Sequence, residues 1–312
     1  MASATPAQRA PRAPTTLYLR LVAVAFMWGG TFIAGRTLAL AMPHFVAASG
    51  RYLVACVFLV GYLLVREGRL PQLSRAQFAG VFLLGATGIF LYNAFFFGAL
   101  ARLEASRTAL LIATNPALTA VAAYLVFKLR FAWWQWLGVA VAFAGVAIVI
   151  TRGDLATLGG TAIGAGEALM FCGVLSWVVY TLYGRRMLSA QGALSPLATT
   201  TYASLAGLVM LATVAFFQLP DVPWSRVTAA EIGAVAYLGF FGTAVAFVWF
   251  YEGVKAIGAA RASVFTNLVP IVAVTSAVLI LGEPLLASMV IGGLVTLAGV
   301  SLTNIERKSP HG

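Results

Sequence analysis

Apolar residues along this chain come in long unbroken blocks, each ended by a charge or a turn residue. A helix that crosses the hydrocarbon core of a bilayer needs about 20 consecutive apolar residues. Ten blocks reach or approach that length: 17–40, 45–65, 77–99, 106–127, 134–151, 160–187, 196–217, 230–253, 261–281 and 287–304. The links between them are short and rich in turn residues, as in Glu67-Gly68-Arg69, Pro220-Asp221-Val222-Pro223 and Gly282-Glu283-Pro284. The pattern predicts an all-α membrane protein with ten transmembrane helices. Residues 1–16, small and basic, read as a disordered tail, and 305–312 as a second one. The first apolar block is too long for a cleavable signal peptide and would itself target the membrane.

Composition agrees: 61% of the 312 residues are hydrophobic and only 9% are charged. A soluble domain carries about 25% charge, so this chain cannot build a polar coat. Cys56 and Cys172 both fall inside apolar blocks and read as small packing residues.

The net charge of +11 would suggest nucleic acid if it formed a patch, but it sorts by loop instead. Fourteen of the 20 basic residues fall on one side of a ten-span topology: Arg9, Arg12, Arg20, Arg66, Arg69, Arg75, Lys128, Arg130, Arg185, Arg186, Lys255, Arg261, Arg307 and Lys308. Arg36, Arg51, Arg102, Arg107, Arg152 and Arg226 fall on the other. Basic loops stay in the cytoplasm, so both termini are expected there, and no nucleic-acid partner is expected.

The chain also repeats itself. Residues 105–146 shifted by 154 positions fall without a gap on 259–300, pairing Arg107 with Arg261, Pro116 with Pro270, Gly138 with Gly292 and Gly145 with Gly299. Upstream, Trp28 with Gly35-Arg36 mirrors Trp177 with Gly184-Arg185. Residues 17–151 thus form one five-helix repeat and 161–304 a second, joined by a linker at 152–160. Five is odd, so the second repeat starts on the opposite side of the membrane and the two are inverted. Inverted repeats suit alternating access to a central site, which points to transport.

The prolines Pro116 and Pro270 sit near the middle of equivalent helices and read as paired hinges. Polar and aromatic residues at membrane depth supply the candidate substrate site: Tyr92, Asn93 and Phe96; Asn115; Trp177 and Tyr180; Trp249; and Asn267. A buried amide in lipid needs a partner, which suits either a polar interior or interhelical hydrogen bonds. Trp133, Trp134 and Trp136 read as an interfacial belt. The glycines of the fifth and tenth helices read as packing positions. No acid falls at mid-membrane, which argues against strict proton antiport. No Lys or Arg falls there either. Phosphate-binding loops, zinc-protease motifs and paired catalytic acids are lacking, so neither a cofactor nor an enzyme activity is expected.

Trp28-Gly-Gly-Thr-Phe, Ala105-Ser-Arg-Thr-Ala with Pro116, Ala259-Ala-Arg-Ala-Ser with Pro270, and Gly282-Glu-Pro resemble the drug/metabolite transporter superfamily. Within it the chain is similar to the EamA-type branch and its YddG-type bacterial amino-acid exporters, over about Leu17 to Asn304. That resemblance implies a multi-pass protein of the bacterial inner membrane, exporting amino acids and related metabolites. It implies a cavity walled mainly by helices three, four, eight and nine, with one and six alongside, and lined by Tyr92, Phe96 and Trp177. The alternatives are a drug or other metabolite carrier of the same fold, or a non-transporting membrane assembly subunit. A monomer is the simplest assembly. One departure stands out: the turn after the fourth helix reads Phe127-Lys-Leu-Arg130, and only the second repeat keeps an acid, Glu283.

Overall fold

The computed structural model describes residues 15–128, 131–154, 163–257 and 259–303. The expected terminal tails, apart from Thr15 and Thr16, most of the 152–160 linker and Arg130 lie outside the described residues, as do the side chains of Lys255 and Arg261. The described residues are helical throughout their apolar blocks. We label the helices α1 (Thr15–Ala41), α2 (His44–Glu67), α3 (Arg75–Leu100), α4 (Ala105–Phe127), α5 (Trp133–Ile150), α6 (Ala165–Leu188), α7 (Pro196–Gln218), α8 (229–257), α9 (259–281) and α10 (Ala287–Thr303). Nine spans among the described residues are long and apolar enough to cross a membrane, and α10 is a shorter apolar helix. The structure moves the expected boundaries only slightly; Thr15 and Thr16, read as tail, already belong to α1.

Four of the helices are not regular, and they fall in matching pairs. In α3 the turn Gly85–Leu91 widens to a π-helix, and in α8 the turn Phe240–Val245 does the same. The two turns end at Leu91 and Val245, positions that the repeat pairs. α4 breaks between Ile112 and Asn115, and α9 breaks at Asn267. Each break lies just before a proline, Pro116 or Pro270, whose missing N–H removes one rung of the helix ladder.

Helix pairing follows the same exchange. α1 packs on α8 and α9, while α6 packs on α3 and α4; α2 meets α7, and α5 meets α10. The α5–α10 seam is backbone against backbone. A Cβ at Gly299 would lie 2.6 Å from the Gly138 carbonyl oxygen, and one at Gly292 2.6 Å from that of Gly145. Only glycine permits this approach, so these residues are packing positions. Trp133 and Trp136, at the start of α5, are exposed, as residues of an interfacial belt should be. Cys56 packs inside, but Cys172 is exposed, which corrects its reading as a packing residue.

Polar ties close one end of the bundle. The Glu283 carboxylate accepts hydrogen bonds from the backbone N–H of Ala105 (2.7 Å) and Ser106 (3.0 Å) and from the Ser106 hydroxyl (2.6 Å). It thereby caps α4 from the α9–α10 turn, where the helix N-terminus favours a negative charge. Beside it Arg107 pairs with Glu167 at 2.7 Å and donates to the Ile150 carbonyl at 2.7 Å. Arg36 donates to the carbonyl that ends α3, at Leu100. The opposite end holds Arg20–Glu252 at 2.9 Å, a pair largely open to solvent. Lys128 occupies the left-handed conformation (φ 52°) that Gly282 holds (φ 67°) in the other half. Leu129, the residue equivalent to Glu283 in the repeat, carries no carboxylate.

Candidate functional site

The paired π-turns decide what faces the middle of the bundle. A π-turn carries an extra residue, which rotates the following side chains and leaves backbone carbonyls for side chains of other helices. Trp28 Nε1 on α1 donates to the Gly242 carbonyl at 3.2 Å, and the Ser176 hydroxyl on α6 donates to the Thr87 carbonyl at 2.7 Å. Each π-turn is thus tied to the first helix of the other repeat. A glycine in each turn makes room: a Cβ at Gly88 would overlap the Tyr180 ring, and one at Gly242 would lie 2.6 Å from the Thr31 methyl.

The side chains that emerge below these turns form a continuous aromatic cluster. Trp177 lies 5.0 Å from Tyr92, 5.1 Å from Tyr180 and 6.5 Å from Phe247, by ring centroid. Tyr92 stacks on Phe96 at 5.8 Å, and Phe96 meets Phe32 at 5.7 Å. On the other side Phe247 and Phe250 lie 5.7 and 5.2 Å from Trp28, and Tyr251 lies 6.3 Å from Phe247. The cluster draws on α1, α3, α6 and α8, two helices from each repeat. Phe96 is buried, whereas Tyr92, Trp177, Tyr180, Trp28 and Phe247 each keep part of their surface uncovered. Such a wall offers apolar area and π-faces together with the Tyr hydroxyls.

Of the expected site residues, the structure brings Tyr92, Phe96, Trp177 and Tyr180 together. Trp249 does not join them: no described ring contact links it to the cluster, and its ring lies 5.5 Å from the Arg20 guanidinium. Asn93 does not stand open to a ligand either. It is fully buried, with Nδ2 donating to the Ile89 carbonyl at 2.7 Å and Oδ1 accepting from Arg51 at 3.2 Å. Asn115 accepts from the Thr119 hydroxyl of its own helix at 3.4 Å, and Asn267 precedes the second segment of α9 without a side-chain capping bond.

Arg51 lies in the first turns of α2 rather than at mid-membrane, but it faces the interior of the bundle. Counted as a loop residue by sequence, it is 6% exposed and its Nε donates to the Thr243 hydroxyl at 3.1 Å. Sequence reasoning also left Phe247, Phe250 and Tyr251 outside the candidate set. The signal that could have placed them is Gly85-x-x-Gly88 against Gly239-x-x-Gly242, which extends the 154-residue repeat upstream into α3 and α8.

The profile of the EamA-like transporter family matches the chain twice, at residues 15–151 and again at 164–305. The chain belongs to the EamA-like transporter family. Its relatives point the same way. It is 34% identical to the uncharacterised transporter YyaM of Bacillus subtilis (strain 168), over 91% of this chain and 92% of that one. It is 28% identical to an uncharacterised transporter of Archaeoglobus fulgidus, over 93% and 98%. It is 26% identical to the uncharacterised inner membrane transporter YedA of Escherichia coli (strain K12), over 83% and 80%. A solved crystal structure shares the fold, with a TM-score of 0.63 at 18% identity over 93% of this chain and 96% of the other. This EamA-family chain is therefore a multi-pass membrane transporter by family, and its two family matches coincide with the two halves that carry the paired π-turns and breaks.

Proposed function

We propose that this transporter exports amino acids, including aromatic ones, across the bacterial inner membrane by alternating access. The observation that carries the reading is the aromatic cluster around Trp177, built equally from both halves. Broad, rigid rings give adaptable apolar contact with little side-chain entropy to lose, which suits a family of related side chains. The substrate site is read as Tyr92, Phe96, Trp177 and Tyr180, joined by Trp28 and Phe247.

The two five-helix halves, 17–151 and 161–304, are read as inverted repeats, with both termini in the cytoplasm. Pro116 and Pro270 act as hinges, because each follows a break in its helix. The half-buried Glu283 cap and the buried Arg107–Glu167 pair close the end that faces the periplasm. At the opposite end the ion pair among the described residues, Arg20–Glu252, is partly open to solvent, and the Tyr202 and Gln77 hydrogen bonds there join neighbouring links rather than the two ends of the path; we read the resting state as open toward the cytoplasm. Exchange of the two ends moves the cluster's contents across. The described residues place no carboxylate at the cluster, so transport follows the substrate gradient.

The test is uptake of radiolabelled phenylalanine, tryptophan, leucine and threonine by liposomes holding the purified chain, with and without a pH gradient. Saturable flux of the aromatic amino acids, lowered at least tenfold by Trp177→Ala, is expected. Movement of cationic dyes but of no amino acid would instead favour a drug carrier.

A further inference from the structure

We propose that Arg51, held by Asn93 and Thr243, receives the carboxylate of the transported molecule. This rests on the reading that the adjacent aromatic cluster is the substrate site, and it names the chemistry that site selects.

A guanidinium inside a membrane span is costly unless its charge is answered. Arg51 lies seven residues into α2, about 10 Å along the helix from its start. Its two hydrogen-bond partners, Thr243 Oγ1 and Asn93 Oδ1, are both neutral. Among the described residues the ion pairs are Arg20–Glu252 and Arg107–Glu167, and no carboxylate pairs with Arg51. The two bonds use Nε and Nη1, and no described hydrogen bond reaches Nη2. A guanidinium offers five N–H donors in a planar fork that matches a carboxylate. Here Nε and Nη1 are anchored, and Nη2, which both edges of the fork share, has no described partner.

The anchor is itself rigid. The Thr243 hydroxyl donates to the Leu238 carbonyl at 2.9 Å, so its oxygen is left to accept from Arg51. The Asn93 amide donates to Ile89, so its carbonyl oxygen is left for the same task. Both carbonyls belong to helices carrying a π-turn, and Thr243 lies within one. The Tyr52 ring lies 5.3 Å from the guanidinium carbon and shields one face. The Arg51 guanidinium is near enough to Tyr92 to act on it electrostatically, which sets the charge beside the cluster wall.

Architecture alone does not require this arrangement. The repeat places Ser204, Phe247 and Ile89 where the first set has Arg51, Asn93 and Thr243. The second helix of each repeat packs on the other repeat's π-turn, α2 near Gly239 and α7 near Gly85. One of the two junctions is built without a charge. The charge therefore serves something that the packing does not, and an anionic group presented from the cluster is what it fits.

The experiment titrates the intact chain in detergent, by tryptophan fluorescence, with three probes of one shape: 3-phenylpropionate, 3-phenylpropionamide and 2-phenylethylamine. Loss of a charge-assisted pair corresponds to about 10- to 100-fold in affinity. The wild type should bind the acid at least ~10-fold more tightly than the amide or the amine. Arg51→Gln should bind acid and amide alike, and Arg51→Lys should keep the preference for the acid at reduced affinity. Equal binding of acid and amide by the wild type overturns the proposal, and this needs no variant to fold. A full acid preference in Arg51→Gln also overturns it, as does displacement of the acid by millimolar phosphate or chloride, which would make the site one for inorganic anions. Acid preference in a protein that moves no amino acid in liposomes would leave the carboxylate site standing and sink the export reading instead.

Discussion

The α5–α10 seam makes a prediction whose size follows from the structure. In Gly299→Ala the new Cβ would stand 2.6 Å from the Gly138 carbonyl oxygen. Carbon and carbonyl oxygen rest at about 3.3–3.6 Å. The Ala142 backbone nitrogen stands closer still, so the two helices must part by at least roughly 0.7–1 Å at that level. A gap of that size forfeits about a quarter to a half of the dispersion energy of the atoms that lined it. Forcing an extra methyl into a packed interface costs about 1–3 kcal/mol, and the lost Cα–H···O contacts add about 0.5–1 kcal/mol each. Alanine's better helix propensity returns up to about 1 kcal/mol. The expected net loss is about 2 kcal/mol, or a fall of about 5 °C in melting temperature for a protein of this size. Thermal unfolding of the purified protein in one detergent measures it. Gly61→Ala is the control, because nothing lies within 4 Å of a Cβ there, and it should melt at or above the wild type. Equal melting of Gly299→Ala and the wild type would refute the close-approach argument. Collapse of flux without a change in melting would move these glycines from packing to the substrate path.

Three further expectations are open to direct measurement. Glu283→Gln keeps the shape of the α4 cap but removes its charge, and should destabilise the closed end by about 1–2 kcal/mol. Labelling of an introduced cysteine near Ser106 should then be faster, and an unchanged rate would count against the tie. Arg107→Ala leaves Glu167, whose side chain is 7% exposed, without its partner and should cost about 3 kcal/mol or more; Arg107→Ala with Glu167→Ala should recover much of that loss, and additive losses would argue against a coupled pair. Trp177→Ala should abolish flux with the fold intact, whereas Trp249→Ala should leave KM for the substrate unchanged, since its ring faces Arg20; matching KM effects would put Trp249 back in the site.

The membrane class, the number of spans and the division into halves were legible because they rest on local quantities. Span length follows from bilayer thickness, and the repeat is visible wherever Arg, Pro and Gly recur at one spacing. The family resemblance implies Trp177, Tyr92 and Phe96 as a set, and the structure brings their rings together. Trp249 neighbours Phe250 in the chain, but its described contact is with Arg20 near the helix end rather than with the cluster. Asn93 misled because an amide announces that it needs a partner without saying which.

Sequence alone therefore determined that this chain crosses the membrane ten times in two related halves, because hydrophobic length and periodicity act residue by residue. Tertiary structure alone decided that Arg51 is an interior residue. Its position near the start of a helix reads as an end, and only the approach of Asn93 from α3 and Thr243 from α8, 42 and 192 residues away, turns that end into a buried site. The π-turns bring those groups together, and a π-turn is chosen by the packing of neighbouring helices, a non-local energy that no stretch of sequence carries by itself.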